Sequence, residues 1–478
     1  KYFFDFFRYY KSIVFIYLRK IYRMSIFKDI IEEIKEQYLE DDNNRPWIIA
    51  FSGGKDSTLM LQLAWQALQK IPSEFRSRKV YVICNNTLVE NPTVLTYVDE
   101  VLAKIQKGAV EQGMPITVDQ TTPQLENTFW VNLIGKGYPA PNNMFRWCTE
   151  RLKISPTTKY ITDKISKHGE AVILIGTRSD ESISRAQSIK KHEIKGTRLR
   201  AHPLPNANSY APIKDITTDE LWEYLLQVKS PWGGDNRKLI AMYNNASEGD
   251  CPLVVDIKTP SCGNSRFGCW VCTVVKRDKS MEAMIDNGAD WLIPLMEIRD
   301  FMVSTIDRSD PEKYKDISKK YRMPLRRNKS NGIMNDSNVG PYRPWVRHKI
   351  LEQILKAQKI IQEEEPDQQL ITHQELVAIQ VLWNRDFIFE YNISDMYNKI
   401  YNKKVSFSNE KIIEEKKILE LVCEENPEDF ELINNLLQAQ KNKVLLVSKT
   451  GLQSDIDDLL EEQVDPTFTN VYKEDIIK

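Results

Sequence analysis

Four short runs of branched and aromatic residues, WIIAF (47–51), VYVIC (80–84), PITVD (115–119) and AVILIG (171–176), alternate with stretches of helical spacing such as STLMLQLAWQALQ and PTVLTYVDEVLAKIQKGAVEQ. Runs this short and this apolar read as buried strands. Their alternation with helices predicts an α/β fold, a parallel sheet with helices on both faces, over about residues 24–240.

A chain of 478 residues is long for one core and points to two or three domains. Region 241–340 holds four of the seven cysteines and ends in the polar stretch NKSNGIMNDSNVGP (328–341), read as a loop. Region 341–478 carries helical periodicity, as in RHKILEQILKAQKIIQEEE, and is expected to be α-helical. Residues 1–23 are aromatic but broken by Lys, Arg and Asp, with neither a membrane-length apolar run nor a signal-type cleavage site; no function is assigned to them, and Met24 is read as opening the first helix. Lys and Arg number 66 against 67 Asp and Glu, so bulk charge does not announce a nucleic-acid binder. An odd cysteine count spread from Cys84 to Cys423 makes a poor disulfide framework and fits a reducing, cytoplasmic setting.

The first predicted strand runs into Phe51-Ser52-Gly53-Gly54-Lys55-Asp56-Ser57, which opens the first long helix. In an open α/β sheet, ligands bind at this carboxyl edge. Gly53 and Gly54 let backbone approach an anion, and the first helical turn offers unpaired amides and the positive end of the dipole. Ser52 and Ser57 add hydroxyls, and Lys55 a mobile charge. Asp56 is read as positioning Mg²⁺ or capping the loop, with a first-turn carboxylate facing the dipole as the plainer alternative. The spacing is not that of a Walker loop. The stretch resembles the SGGxDS pyrophosphate loop of the N-type ATP pyrophosphatases, which implies cleavage of ATP to AMP and pyrophosphate; the plainer alternative is a glycine turn with a serine cap.

The fourth strand closes on Gly176-Thr177-Arg178-Ser179-Asp180-Glu181-Ser182, with Arg185 beyond, and the second on Asn86-Thr87-Leu88-Val89-Glu90-Asn91-Pro92. The first is similar to the GxRxxES–R segment of the PAPS reductase branch, which implies that Gly176, Arg178 and Glu181 line the nucleotide site; a surface ion pair of Arg178 and Glu181 is the alternative. APIKDIT (211–217) is similar to that branch's PI-x-D-x-T segment, with Thr217 or Thr218 a natural helix cap.

Cys262, Cys269 and Cys272 are spaced C-x6-C-x2-C, and Cys148 lies apart in FRWCTERLKISP. Four thiolates suit Zn²⁺ or an iron–sulfur cluster equally, and spacing alone does not choose. Cys251 is a possible substitute; Cys84 and Cys423 read as buried.

Taken together, FSGGKDSTLMLQLAW, NTLVENP, RWCTERLKI, GTRSDES, the three-cysteine cluster and YRMPLRRNKSNG resemble the DndC family, ATP-dependent sulfurtransferases of DNA phosphorothioation, with the SspD family closely similar. The resemblance covers about residues 24–345. It implies a [4Fe–4S] cluster on Cys148, Cys262, Cys269 and Cys272, ATP with Mg²⁺ as nucleotide, and Lys55, Asp56 and Ser57 in the chemistry. It also implies DNA, a cysteine desulfurase and other Dnd- or Ssp-type proteins as partners. Two basic runs are candidates for DNA phosphates: Arg185, Lys190, Lys191, Lys195, Arg198 and Arg200, then Lys319, Lys320, Arg322, Arg326, Arg327 and Lys329. For each, a solvated charged face is the alternative. A PAPS reductase or a tRNA thiolation enzyme would share the loop, and a DNA-binding scaffold could carry it as a remnant.

Overall fold

The computed structural model describes residues 25–405, apart from 41–44, 182, 192–196, 246–267, 308–310, 325–338, 387 and 389, together with positions 421, 423 and 433. Residues 1–23, Lys195, Cys251, Cys262, Arg326, Arg327 and Lys329 therefore lie outside the described residues, as do the side chains of Arg185 and Lys191. The chain divides into two compact units, Lys1–Phe129 with Ala140–Ser309, and Trp130–Pro139 with Asp310–Lys478.

In the first unit a helix over 25–39 (α1) leads into β1 (Trp47–Ala50), α2 (Lys55–Gln69), β2 (Val80–Asn85), α3 (Pro92–Glu111) and β3 (Ile116–Thr121). Then come α4 (Ser155–His168), β4 (Ala171–Leu174), α5 (Ile183–Lys191), β5 (Arg200–Ala201), β6 (Ala207–Tyr210), α6 (Thr218–Gln227), α7 (Arg237–Asn245), α8 (Lys279–Asp286) and α9 (Ile293–Ser304). The strands form one sheet in the order β3-β2-β1-β4-β6-β5. All neighbours are parallel except β5, which pairs antiparallel with β6 at the edge. This is the expected mostly parallel sheet.

The period-two geometry of a strand explains why the runs of β1, β2 and β4 are apolar throughout, whereas edge strand β3 carries Thr117 and Asp119. Trp47, Ile49, Val80, Val82, Val172 and Leu174 point into a large core shared with α1, α2, α3, α6 and α7. Ile48, Tyr81, Ile83, Ala171 and Ile173 point the other way, to a smaller core with Ile161 of α4. Both faces are therefore covered. β6 was not expected from the sequence, because ANSY carries two polar residues. Its register with β4, Ala171↔Ala207 through Leu174↔Tyr210, is set by the backbone ladder, while Ala207 and Tyr210 supply the buried area.

Local chemistry fixes the helix starts. Asn91 Oδ1 accepts the Thr93 amide with Pro92 in the first turn of α3. Thr217 and Glu220 form a reciprocal capping box on α6, so Thr217 rather than Thr218 is the cap.

The second unit is helical: α10 (Pro311–Tyr321), the ribbon of β7 (Arg322–Pro324) and β8 (Val339–Tyr342), α11 (Pro344–Glu364), α12 (His373–Arg385) and α13 (Ile393–Tyr401). The segment Trp130–Pro139 joins this unit, with a π-helical turn at Val131–Gly135. Trp130 Nε1 donates to Leu370 O at 2.7 Å, Trp383 Nε1 to Ile134 O at 2.9 Å, and buried Arg347 to Tyr342 O and Gly135 O. Among the described residues no helix is long and apolar enough to cross a membrane.

Candidate nucleotide loop and thiol site

β1 ends and α2 begins across Phe51–Gly54, at the carboxyl edge of the sheet. Gly53 adopts φ +74°, and a Cβ there would lie 2.5 Å from Val98 Cγ2, so both backbone and space demand glycine. The loop is tied to itself. Ser57 Oγ donates to Gly54 O at 3.0 Å and accepts the Ser52 amide at 3.2 Å. With the Ser57 hydrogen on Gly54, Ser52 is the donor in the 3.2 Å hydroxyl pair. Gly54 caps α2 without a side-chain partner, so the first-turn amides are held by other groups or by a ligand. One of them, Lys55 N–H, donates to the Tyr243 hydroxyl at 3.3 Å. Tyr243 is buried on α7, edge-on to Trp222, with the Lys55 ammonium 5.4 Å from its ring centre. Burial raises its hydroxyl pKa, keeping it neutral. No motif announced Tyr243.

The strand-four motif supports the loop from behind. A Cβ on Gly176 would meet Asp56 O at 3.0 Å, so the second loop approaches to backbone contact. Arg178 is fully buried, and its guanidinium faces inward. Nε donates to Asp56 Oδ1 at 2.6 Å, and Nη1 to Ile216 O at 3.0 Å and Thr218 Oγ1 at 3.3 Å. Asp56 also lies 3.1 Å from the Lys55 ammonium. Asp180 accepts both the amide and hydroxyl of Thr218; burial opposes its charge, but these bonds and Arg178 hold its pKa below the usual carboxylate value. Glu181 accepts the Arg178 amide at 3.4 Å. Arg178 thus ties Asp56, the strand-four loop and the start of α6 together, as a buried support.

The thiols gather beside the end of β2, the strand next to β1. Asn86 Oδ1 accepts the Leu88 amide and holds Leu88 at φ 65°. That turn sets Thr87 Oγ1 2.8 Å from Glu90 Oε1 and 3.4 Å from Cys269 Sγ, which is itself 3.9 Å from Glu90. The Trp270 amide donates to Val89 O, pinning the C-x-x-C segment to the same turn. Buried Arg299 of α9 closes that segment from the other side by donating to the carbonyls of Cys272, Val275 and Lys276. Cys148 immediately precedes a π-helical turn, Thr149–Ile154, whose Lys153 completes the group.

The electrostatics tie these residues together. Burial pushes the Cys269 thiol up to about 12 and raises Cys148, with Cys272 adding to the rise at Cys148. Cys269, then Glu90, Cys148 and Cys272, raise the Lys153 ammonium pKa. Three of the four expected cysteine ligands thus share the field of one cation; Cys262 lies outside the described residues. Among the described residues no three of His, Cys, Asp and Glu are gathered closely enough to hold a metal ion. Soft thiols beside an ammonium are the donor types a thiolate-bound metal would use, but the described thiols do not form a closed ligand set. Cys84 is buried in the larger core, and Cys423 is buried.

The basic candidates fare unevenly. Lys190 on α5 is exposed, as are Lys319 and Lys320 on α10 of the second unit. Arg198 is engaged by Glu36 of α1 and by Glu40 just beyond it. Arg322 donates to Gly340 O at 2.8 Å within its ribbon.

The uncharacterized protein MJ0066 of Methanocaldococcus jannaschii is 27% identical over 205 residues, 43% of this chain and 36% of that protein. The uncharacterized protein YbdN of Escherichia coli K12 is 22% identical over 279 residues, 54% of this chain and 65% of that protein. The chain thus spans about one third and just under two thirds of the length of these two relatives. Among solved structures, the U34-tRNA thiolase NcsA of Methanococcus maripaludis with its [4Fe-4S] cluster aligns at 15% identity and a TM-score of 0.28, over 58% of this chain and 77% of that one. Residues 46–274, the stretch that carries the sheet, the loop and the C-x-x-C segment, match the phosphoadenosine phosphosulfate reductase domain.

Proposed function

We propose that this protein is an ATP-dependent sulfurtransferase that activates a DNA backbone phosphate and replaces one of its non-bridging oxygens with sulfur. The observation that carries the reading is placement: the Ser52–Ser57 loop and the Cys148–Cys269–Cys272 group stand at the carboxyl ends of adjacent strands, β1 and β2. One position offers amides and hydroxyls for pyrophosphate, the other thiols for sulfur chemistry.

A non-bridging DNA oxygen attacks the α-phosphorus of ATP, a new P–O bond forms and pyrophosphate leaves. A sulfide-level donor then attacks the DNA phosphorus, and AMP leaves with the original oxygen. The loop amides, Ser52 and Lys55 receive the charge that builds on the departing pyrophosphate, while Arg178 and Lys55 hold Asp56 where it could position Mg²⁺. Cys148, Cys269 and Cys272, with Cys262, would hold an iron–sulfur cluster, which when bound supplies sulfide-binding chemistry. Lys153 would offset the negative charge of the thiolates holding the cluster. A cysteine desulfurase and other Dnd- or Ssp-type proteins are the proposed partners.

The test is anaerobic incubation with ATP, DNA and a radiolabelled sulfide source. AMP, pyrophosphate and labelled DNA are expected, all lost in Lys55→Ala; ADP and phosphate as products would overturn the reading. The domain match favours one second reading, reduction of a sulfonucleotide, which a separate incubation with a sulfonucleotide and a dithiol as two-electron reductant, without ATP, detects as released sulfite.

A further inference from the structure

A cleft of about 220 Å³ opens where the carboxyl end of β3 meets the amino-terminal half of α4. It belongs to neither the nucleotide loop nor the thiol group. Its ionised side chains are Arg151, Lys159 and Asp163, two cations against one anion. Arg151 is aimed by a 2.6 Å bond from Nη1 to Asn127 Oδ1, another lining residue. Lys159 is exposed and has no ion-pair partner among the described residues. The neighbouring Tyr160 hydroxyl is turned away, donating to Asp119. The side chains of Thr122, Gln124 and Ser155 also face the cleft and make no hydrogen bond among the described residues.

The turn that builds the cleft also builds the thiol group. In the π-helical stretch Thr149–Ile154, Arg151 faces the cleft, and Lys153, two residues on, lies among the thiols. Positions two apart on a helix do not share a face. Asn85 at the end of β2 fixes this turn, its Nδ2 donating to Leu152 O at 2.8 Å and its Oδ1 accepting Thr121 Oγ1 at 3.0 Å. A group seated on Arg151 is therefore held one short turn from Cys148. The volume is below the roughly 300 Å³ at which pockets begin to enclose whole ligands, so it suits a single phosphate ester rather than a base with its sugar.

We propose that the Arg151–Lys159 cleft seats a backbone phosphate of the nucleic-acid substrate, flanking the one presented to the thiol site. The inference rests on the reading of the protein as acting on DNA, and it names where that substrate is held.

The experiment measures binding of a labelled single-stranded oligonucleotide without ATP, over a range of salt, for the whole protein and for Lys159→Gln and Arg151→Gln. Melting temperatures confirm folding; Lys159 is exposed and so independent of the core. Each variant should bind more weakly, with the slope of log K against log salt reduced by roughly 0.7, the loss of one phosphate contact on a single strand. Equal affinity and slope in Lys159→Gln, or no binding by the parent protein, would overturn the site. A parallel arm uses adenosine 3′,5′-bisphosphate: weakening of that ligand alone, with the oligonucleotide unaffected, also overturns it in favour of a small-nucleotide site. Because no turnover is measured, a protein that forms no AMP but keeps the Lys159-dependent slope would sink the ATP reading and leave this one standing.

Discussion

Arg178 Nε lies 2.6 Å from Asp56 Oδ1, and the pair is lopsided: the arginine side chain is 1% exposed and the aspartate 18%. The carboxylate in the first turn of α2 is thus anchored to a cation that has no access to water. Removing Asp56 would leave the buried guanidinium with only Asp180, 3.6 Å from Nη1, and losing the closer partner of such a buried pair costs about 3 kcal/mol. Asp56→Ala should therefore lose about 3 kcal/mol of stability in urea unfolding, far more than a first-turn helix carboxylate contributes through the dipole alone. A loss below about 1 kcal/mol would show Asp56 to be a ligand-facing group with little structural role.

Gly53 separates two sources of strain. Its φ of +74° disfavours any side chain, and an added Cβ would press on Val98 Cγ2. Gly53→Ala should cost about 1–3 kcal/mol from the backbone and more from the clash. Adding Val98→Ala removes only the clash. A double-mutant cycle of melting temperatures should recover part of the loss; full recovery would mean that the left-handed backbone carries no strain.

Much of this arrangement was legible in the sequence. β1, β2 and β4 are visible because a strand covered on both faces is apolar at every position, and Trp47 to Ala50 and Val80 to Cys84 contain nothing else; edge strand β3 shows only through Ile116 and Val118. The Ser52–Ser57 loop is visible because its glycines and hydroxyls are adjacent in the chain. What is missing depends on distance. β6 is held by backbone pairing to β4, which leaves no pattern in ANSY. Tyr243 reaches Lys55 across 188 positions, and Glu90 reaches Cys269 across 179. Arg198 reads as a free cation until α1 folds and brings Glu36 to it. Short motifs report local backbone needs; partners supplied by another helix leave no trace at the motif itself.

His202 gives a pH prediction. Its Nδ1 accepts the Leu204 amide at 3.2 Å, and burial lowers its pKa below the ordinary 6.5. The folded state therefore resists a proton that the unfolded chain accepts. Above about pH 6.5 both states are neutral; as pH falls below that value the unfolded state binds more protons and stability is lost. Asn at this position keeps an acceptor without a titration. Between pH 7 and pH 5.5, His202→Asn should lose less melting temperature than the parent protein; equal losses would mean that His202 titrates alike in both states.

Tyr243 makes the most specific demand on the loop. Its hydroxyl oxygen already accepts the Lys55 amide, one of the first-turn donors that pyrophosphate would use. Tyr243→Phe removes that acceptor, keeps the ring against Trp222, and should cost about 0.5–1 kcal/mol in the ligand-free protein. Pyrophosphate then no longer has to displace the hydroxyl, so its inhibition constant should fall about threefold, the same energy read in binding. If the constant rises, the hydroxyl donates to the phosphate and does not compete with it. Inhibition constants for pyrophosphate, measured beside melting curves of the two proteins, separate these cases, because competition couples a less stable free protein to tighter binding and donation does not.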